Sequence, residues 1–213
     1  MTTFTTEDRI SVEQGTPEWH ELRRGKVTAS RVADILAKTK TGPSASRQNY
    51  LIELALQRTT KTIEPSYTNA AMEWGTATEP QARVAYEVKT NNFVDQVPFI
   101  DHPTIQGFGC SPDGLVGKDG LLEIKSPNSS THWEYIKTNE VPKKYFIQMQ
   151  AQMSCTGAKW CDFCSFDPRM PERSQLFIKL VPRDDEFILY MEAEIKQFLA
   201  EVEAEVELMV NRE

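Results

Sequence analysis

The chain has 213 residues, a length that suits one domain with a real hydrophobic core. Its 39% hydrophobic and 26% charged content suits a globular protein; no apolar run reaches membrane-spanning length and no secretory leader stands at the start, which points to the cytoplasm. The net charge of −7 argues against a general nucleic-acid binder, yet much of that acidity lies in one C-terminal run, Glu192, Glu194, Glu201, Glu203, Glu205 and Glu207, so an acidic outer face can coexist with a basic groove.

In chain order, residues 1–9 read as a loose polar end. Residues 19–25 read as a short helix that Gly25 terminates. A second helical run places Val32, Ile35 and Leu36 on one face, with Thr28 or Ser30 as its N-cap. Free N–H groups at a helix start favour an anion, and Arg23, Arg24, Lys26 and Ser30 stand near this one in sequence. Two readings are open there: a phosphate pocket, or routine capping beside surface arginines. Residues 39–48 read as a polar loop, 48–57 as a helix with Leu51, Leu54 and Ala55 inward, and 58–68 as another loop. A helical region begins at Asn69 and runs through Tyr86, with Pro80 either kinking it or opening a new helix. Glu79 is either an acid favoured by the helix dipole or a third carboxylate for a site formed later in the chain.

Residues 93–94, 97–100 and 107–111 read as strands. Beyond the hairpin that follows them, 131–138 form a short helix and 141–153 a longer one. Gln148 and Gln152 share a face of the latter, as a polar surface stripe or with Gln148 turned toward a site. Strands over 159–166 and 174–181 flank Asp167-Pro168-Arg169-Met170-Pro171. The last helix repeats Ile188, Met191, Ile195, Phe198, Val202, Val206 and Met209 at helical spacing and reads as packing. Cys110, Cys155, Cys161 and Cys164 read as thiols; the isolated Cys161-x-x-Cys164 spacing, set among aromatics, reads as a buried strand in preference to a metal or redox pair. No internal repeat and no second domain is apparent, so residues 1–213 form one domain.

The stretch Gly109 to Pro127 carries the chemistry. Ser111-Pro112-Asp113-Gly114 is a turn, Gly117 and Gly120 bracket a second turn, and Leu121 to Ile124 is a strand. Period-two geometry puts Glu123 and Lys125 on one face and Leu122 and Ile124 on the other. A hairpin folds Asp113 back beside Glu123. Two adjacent carboxylates repel unless a hard divalent cation joins them, and oxygen ligands suit Mg²⁺ or Mn²⁺. The lysine can then contact a water or the charged substrate group.

The arrangement Pro112-Asp113, then Glu123-Ile124-Lys125, resembles the PD-(D/E)xK nuclease signature. Further matches carry a closer resemblance: Trp19-His20-x-Leu22-Arg23-x-Gly25, Thr28-Ala29-Ser30, Trp74-Gly75-x-x-x-Glu79, Tyr145-x-x-Gln148-x-Gln150 and Phe166-Asp167-Pro168-Arg169-Met170. With these the chain resembles the lambda exonuclease family of phage alkaline exonucleases, also called YqaJ-type viral recombinases. The resemblance implies an α/β fold with a restriction-endonuclease-like core, a mixed central β-sheet flanked by helices. It implies a 5′→3′ exonuclease that digests one strand of duplex DNA from an end, a ring-shaped homotrimer, and a phage single-strand annealing protein as partner. It assigns metal binding to Asp113, Glu123 and the carbonyl of Ile124, with Mg²⁺, or Mn²⁺, as two ions. It makes Lys125 the catalytic lysine, Glu79 a further acid, Gln148 a supporting glutamine, and Arg23 and Ser30 contacts of the terminal 5′-phosphate. Pro80 departs from the lambda protein's helix, which lacks a proline there. Two rivals remain on the same residues: a restriction-type endonuclease and a non-catalytic DNA-end-binding scaffold.

Overall fold

The computed structural model describes residues 12–40, 42–64 and 70–212. The expected loose end over 1–9, the helix start at Asn69 and residues 65–68 of the expected loop lie outside the described residues. Among those residues no helix is long and apolar enough to cross a membrane.

The sheet that carries the site follows directly from strand alternation. Its strands are β4 (Val94–Asp95), β7 (Gly114–Val116), β8 (Gly120–Lys125), β9 (Trp160–Phe166) and β10 (Leu176–Pro182), in the order β10-β9-β8-β7-β4. β8 and β9 are parallel and every other pair in this sheet is antiparallel, so the sheet is mixed. Parallel neighbours need a crossover. Here it consists of α5 (Ser129–Thr138) and α6 (Lys143–Thr156). Successive residues of β8 feed two separate cores. Leu121 joins Ile147, Met149, Met153, Cys161 and Phe163 on the α6 side. Leu122 and Ile124 join Ala82, Tyr86, Cys164 and Phe166 beneath α4 (Ala70–Thr90) on the other. Glu123 and Lys125 therefore share the α6 face with Leu121.

A second sheet, absent from the single-sheet expectation, has the order β1-β6-β5, from β1 (Val27–Thr28), β6 (Phe108–Cys110) and β5 (Ile100–Asp101). Residues 97–99, expected in a strand, fall outside β5. Cys110 at the end of β6 leads straight into the Ser111–Asp113 turn, so this small sheet aims the first carboxylate.

Several local expectations are corrected. The short helix α1 (Pro17–Arg23) is capped by Thr16, whose side chain accepts from the Trp19 N–H. Neither Thr28 nor Ser30 caps the next helix: Thr28 lies in β1 and its N–H donates to the Tyr50 hydroxyl, while a 3-10 turn over Ala29–Arg31 leads into α2 (Val32–Leu36). The loop over 39–48 contains a small hairpin, β2 (Lys38–Thr39) with β3 (Gly42–Pro43). Helix α3 (Ala45–Thr60) outruns the expected 48–57, because Ser44 caps it at one end and its polar last turn contacts the C-terminal helix at the other. α4 runs unbroken through Pro80, without opening a new helix there. Cys161 and Cys164 are buried in β9 and belong to opposite cores, so the CxxC spacing does not bring the two thiols together, and burial pushes both thiols up.

The acidic helix α7 (Asp185–Val210) packs Ile188, Met191, Ile195, Phe198 and Val202 into the larger core. Its carboxylates are not all turned to solvent: Glu201 forms a two-pronged pair with Arg47, Glu194 meets Lys38 and Glu203 meets Arg58. Arg58 also donates through Nε to the Gly25 carbonyl at 2.7 Å, and Gln57 accepts the Gly25 N–H at 2.8 Å. Gly25 adopts φ +69°, and a Cβ there would lie 2.8 Å from the Arg58 side chain, so the corner requires glycine twice over.

Candidate active site

The hairpin β7–β8 does fold Asp113 back on Glu123's strand: Asp113 Oδ2 accepts the Ile124 N–H at 2.6 Å. Burial, then the Glu123 charge, raise the Asp113 carboxyl well above its usual range; Lys125 and the Ile124 N–H oppose the rise, and Glu79 adds to it. Glu123 is fully buried. Its oxygens are held by two amides of α6, Gln148 Nε2 on Oε1 at 2.7 Å and Gln152 Nε2 on Oε2 at 2.5 Å. Lys125 forms an ion pair with the same Oε1 and lies 5.3 Å from the Tyr145 ring centroid. Burial lowers the Lys125 ammonium, but Glu123 and Asp113 outweigh it and the net direction is upward. The lysine is thus a held cation here; the fall required of a proton acceptor is not what this environment produces.

Asp113, Glu123, Lys125 and Gln148 come together as the sequence indicates. Gln152 is a further member that sequence reasoning placed only on the same helix face. Glu79 stands near enough to raise Asp113, yet its carboxylate is taken by Arg83 at 2.5 Å, and among the described residues no group of three or more His, Cys, Asp or Glu could hold an ion by itself. Two carboxylates, with the backbone carbonyl of Ile124 on the same strand, still form an oxygen donor set that fits a hard cation such as Mg²⁺, which keeps several waters and takes few protein ligands. The mutual repulsion that raises Asp113 is the charge conflict such a cation relieves.

Arg23 and Ser30 line one cleft of about 590 Å³, shared with Gln14, Trp19, Lys26 and Glu79. The Arg23 guanidinium stacks 3.8 Å above the Trp19 ring and has no hydrogen bond or ion pair among the described residues. Burial pulls it down to about 10, which leaves it charged at neutral pH. Ser30 Oγ lies 3.3 Å from Thr28 Oγ1 at the 3-10 turn. The cleft is tied to the carboxylate turn by two contacts: Trp19 Nε1 donates to Ser111 Oγ at 3.0 Å, and Gln14 donates to the Pro112 carbonyl at 2.9 Å. A basic, aromatic-floored pocket is therefore tied to the turn that carries Asp113, despite the net negative charge of the chain.

Residues 18–159 match the profile of the YqaJ-like viral recombinase domain. The chain is 53% identical to an alkaline exonuclease (LHK-Exo) from Laribacter hongkongensis, over 92% of this chain and 97% of that one, with a TM-score of 0.87. A structure of LHK-Exo in complex with dAMP matches at 54% identity and TM-score 0.86, over 91% and 96% of the two chains. A phage-related exonuclease from Haemophilus somnus 129PT, 14% identical over 89% and 96%, shares the fold at TM-score 0.64. Among curated proteins no significant match was found.

Proposed function

The chain belongs to the family of YqaJ-like viral recombinases, and from that premise we propose that it is a metal-dependent 5′→3′ exonuclease that digests one strand of linear double-stranded DNA for recombination by strand annealing. The observation that carries the reading is the convergence of Asp113, Glu123 and Lys125, with the turn before Asp113 tied through Ser111 and Pro112 to a cleft lined by Arg23 and Ser30.

Each residue has a part in this scheme. Asp113, Glu123 and the Ile124 carbonyl would hold Mg²⁺, or Mn²⁺, as two ions, with water and phosphate supplying the remaining oxygen ligands. A cation bound there supplies Lewis-acid stabilisation of the phosphate and activation of a water. Lys125, kept cationic, offers its ammonium to the scissile phosphate or to the attacking water. Gln148 orients Glu123. Arg23 and Ser30 grip the terminal 5′-phosphate, with the guanidinium offering a forked, charge-assisted contact. Glu79, now on Arg83, is a further acid able to turn toward the pair. dAMP, the molecule bound to LHK-Exo, has the form of a released mononucleotide, which supports stepwise removal from an end.

We further infer one nuclease domain over 1–213, a cytoplasmic setting, assembly as a homotrimeric ring around DNA, and a phage single-strand annealing protein as partner. The deciding experiment compares linear duplex with covalently closed circular duplex, with and without Mg²⁺. Digestion of the linear form alone, and only with the metal, is expected. Cutting of the circle would favour the restriction-type endonuclease. End binding without digestion would favour the non-catalytic scaffold.

A further inference from the structure

Gln152 is the residue that the proposed chemistry leaves unused. It is wholly buried on α6, between Ala151 and Met153, where neighbouring positions are apolar. Its Nε2 donates to Glu123 Oε2, and its own Oε1 is a buried acceptor with no partner among the described residues. A buried amide oxygen without a donor costs stability, and methionine or leucine would fill the same space without that cost. The contact that offsets it is the one to Glu123. The amide cannot be turned to satisfy its oxygen, because Oε1 would then face a carboxylate that accepts only.

The second oxygen explains the arrangement. Glu123 Oε1 already receives Gln148 and Lys125, while Oε2 receives Gln152. Gln148 is half-buried, one turn nearer the open side; Gln152 is the fully enclosed contact, one turn deeper. Two amides on one helix face thus grip the two ends of one carboxylate and fix its plane.

We propose that Gln152 is a positioning residue for cation binding: it locks the buried Glu123 carboxylate in the orientation that presents it, together with Asp113, to a divalent cation. The proposal rests on the reading of Asp113 and Glu123 as the cation-binding pair. Partners that orient a metal-binding carboxylate govern affinity, and their loss typically costs roughly 10–100-fold. Lys125 does not replace this function, since an ammonium is one freely rotating point of charge, whereas the amide fixes a direction.

The test is Gln152→Met, close in volume, with Gln152→Leu as a second apolar variant. Mn²⁺ binding to the free protein is followed by calorimetry, alongside thermal unfolding without metal. The expected result is a folded protein whose metal-free unfolding temperature falls, because the buried Glu123 Oε2 loses its donor, and whose Mn²⁺ affinity is lowered roughly 10–100-fold. The Mg²⁺ concentration needed for half-maximal digestion should rise in step, and preference for phosphorylated ends should stay as in wild type. Wild-type Mn²⁺ affinity in either folded variant overturns the proposal. So does failure of both variants to fold, which makes Gln152 a structural residue. Asp113→Asn separates the underlying reading: if it binds Mn²⁺ like wild type, the cation site itself is misassigned.

Discussion

Arg23→Ala should lower kcat/KM on 5′-phosphorylated duplex by roughly 30-fold and change the rate on 5′-hydroxyl duplex little, a figure that follows from about 2 kcal/mol of lost contact. The guanidinium is stacked on Trp19, and among the described residues no carboxylate competes for it. At a pKa of about 10 it is charged throughout the neutral range. Two unit charges about 4 Å apart attract by about 4 kcal/mol at an effective dielectric of about 20. Desolvation and side-chain ordering take part of that, and hydrogen bonds to charged groups net about 1.5–3 kcal/mol. The assay is the initial rate on matched linear duplexes with and without 5′-phosphate, for wild type and variant. Arg23→Lys, which keeps the charge but loses the fork, should fall between them. Absence of a phosphate preference in wild type, or a variant that keeps the full preference, would refute the pocket. An equal fall on both ends would instead assign Arg23 to packing against Trp19.

Asp113→Ala and Glu123→Ala should each abolish digestion while circular dichroism remains that of a folded protein; near-wild-type activity in Mg²⁺ for either would remove it from the site. Lys125→Ala should bind DNA normally but cleave at least ~100-fold slower in single-turnover assays; a loss confined to binding would make the lysine a substrate contact only. Asp167 supplies a pH test remote from the cleavage chemistry. Burial pushes its carboxyl up, but hydrogen bonds from Arg169 and Ser129 outweigh burial and hold it at about 2. Because the folded value lies below the unfolded one of about 3.9, this stabilisation is present above that value and is lost as pH falls toward the folded value. Asp167→Asn should therefore cost about 2 kcal/mol at pH 7 by urea unfolding, and the gap should narrow toward pH 3. A gap independent of pH would contradict the linkage.

The hairpin of the site was legible because it is built from local rules. Glycines mark its turns, and the alternation Leu121, Leu122, Glu123, Ile124, Lys125 assigns each side chain a face that the two cores then confirm. Helix ends were less legible because tertiary contacts set them. Arg58 and Thr59 look like loop residues in isolation, yet they stay helical where they meet Glu203 and Met209. Thr28 has a capping side chain, but its backbone is used in pairing with β6 and with Tyr50. Gln152 was hidden for another reason: a glutamine on a polar-looking helix face reads as solvent-exposed, and only the depth of α6 against β8 turns it toward a buried anion.

The link from Gly25 through Arg58 to Glu203 ties the corner before Lys26 to the C-terminal helix. That corner takes its bearings from α3 and α7, and β1 just beyond it pairs with β6, the strand that leads into the Asp113 turn. The short struts Trp19–Ser111 and Gln14–Pro112 also reach that turn. On the proposed reading, the spacing between the 5′-phosphate contacts and the carboxylates would set the length of strand removed at each step. The same outer helix also reaches α6, where Ser154 Oγ donates to Glu192 Oε1, so one element braces both sides of that spacing.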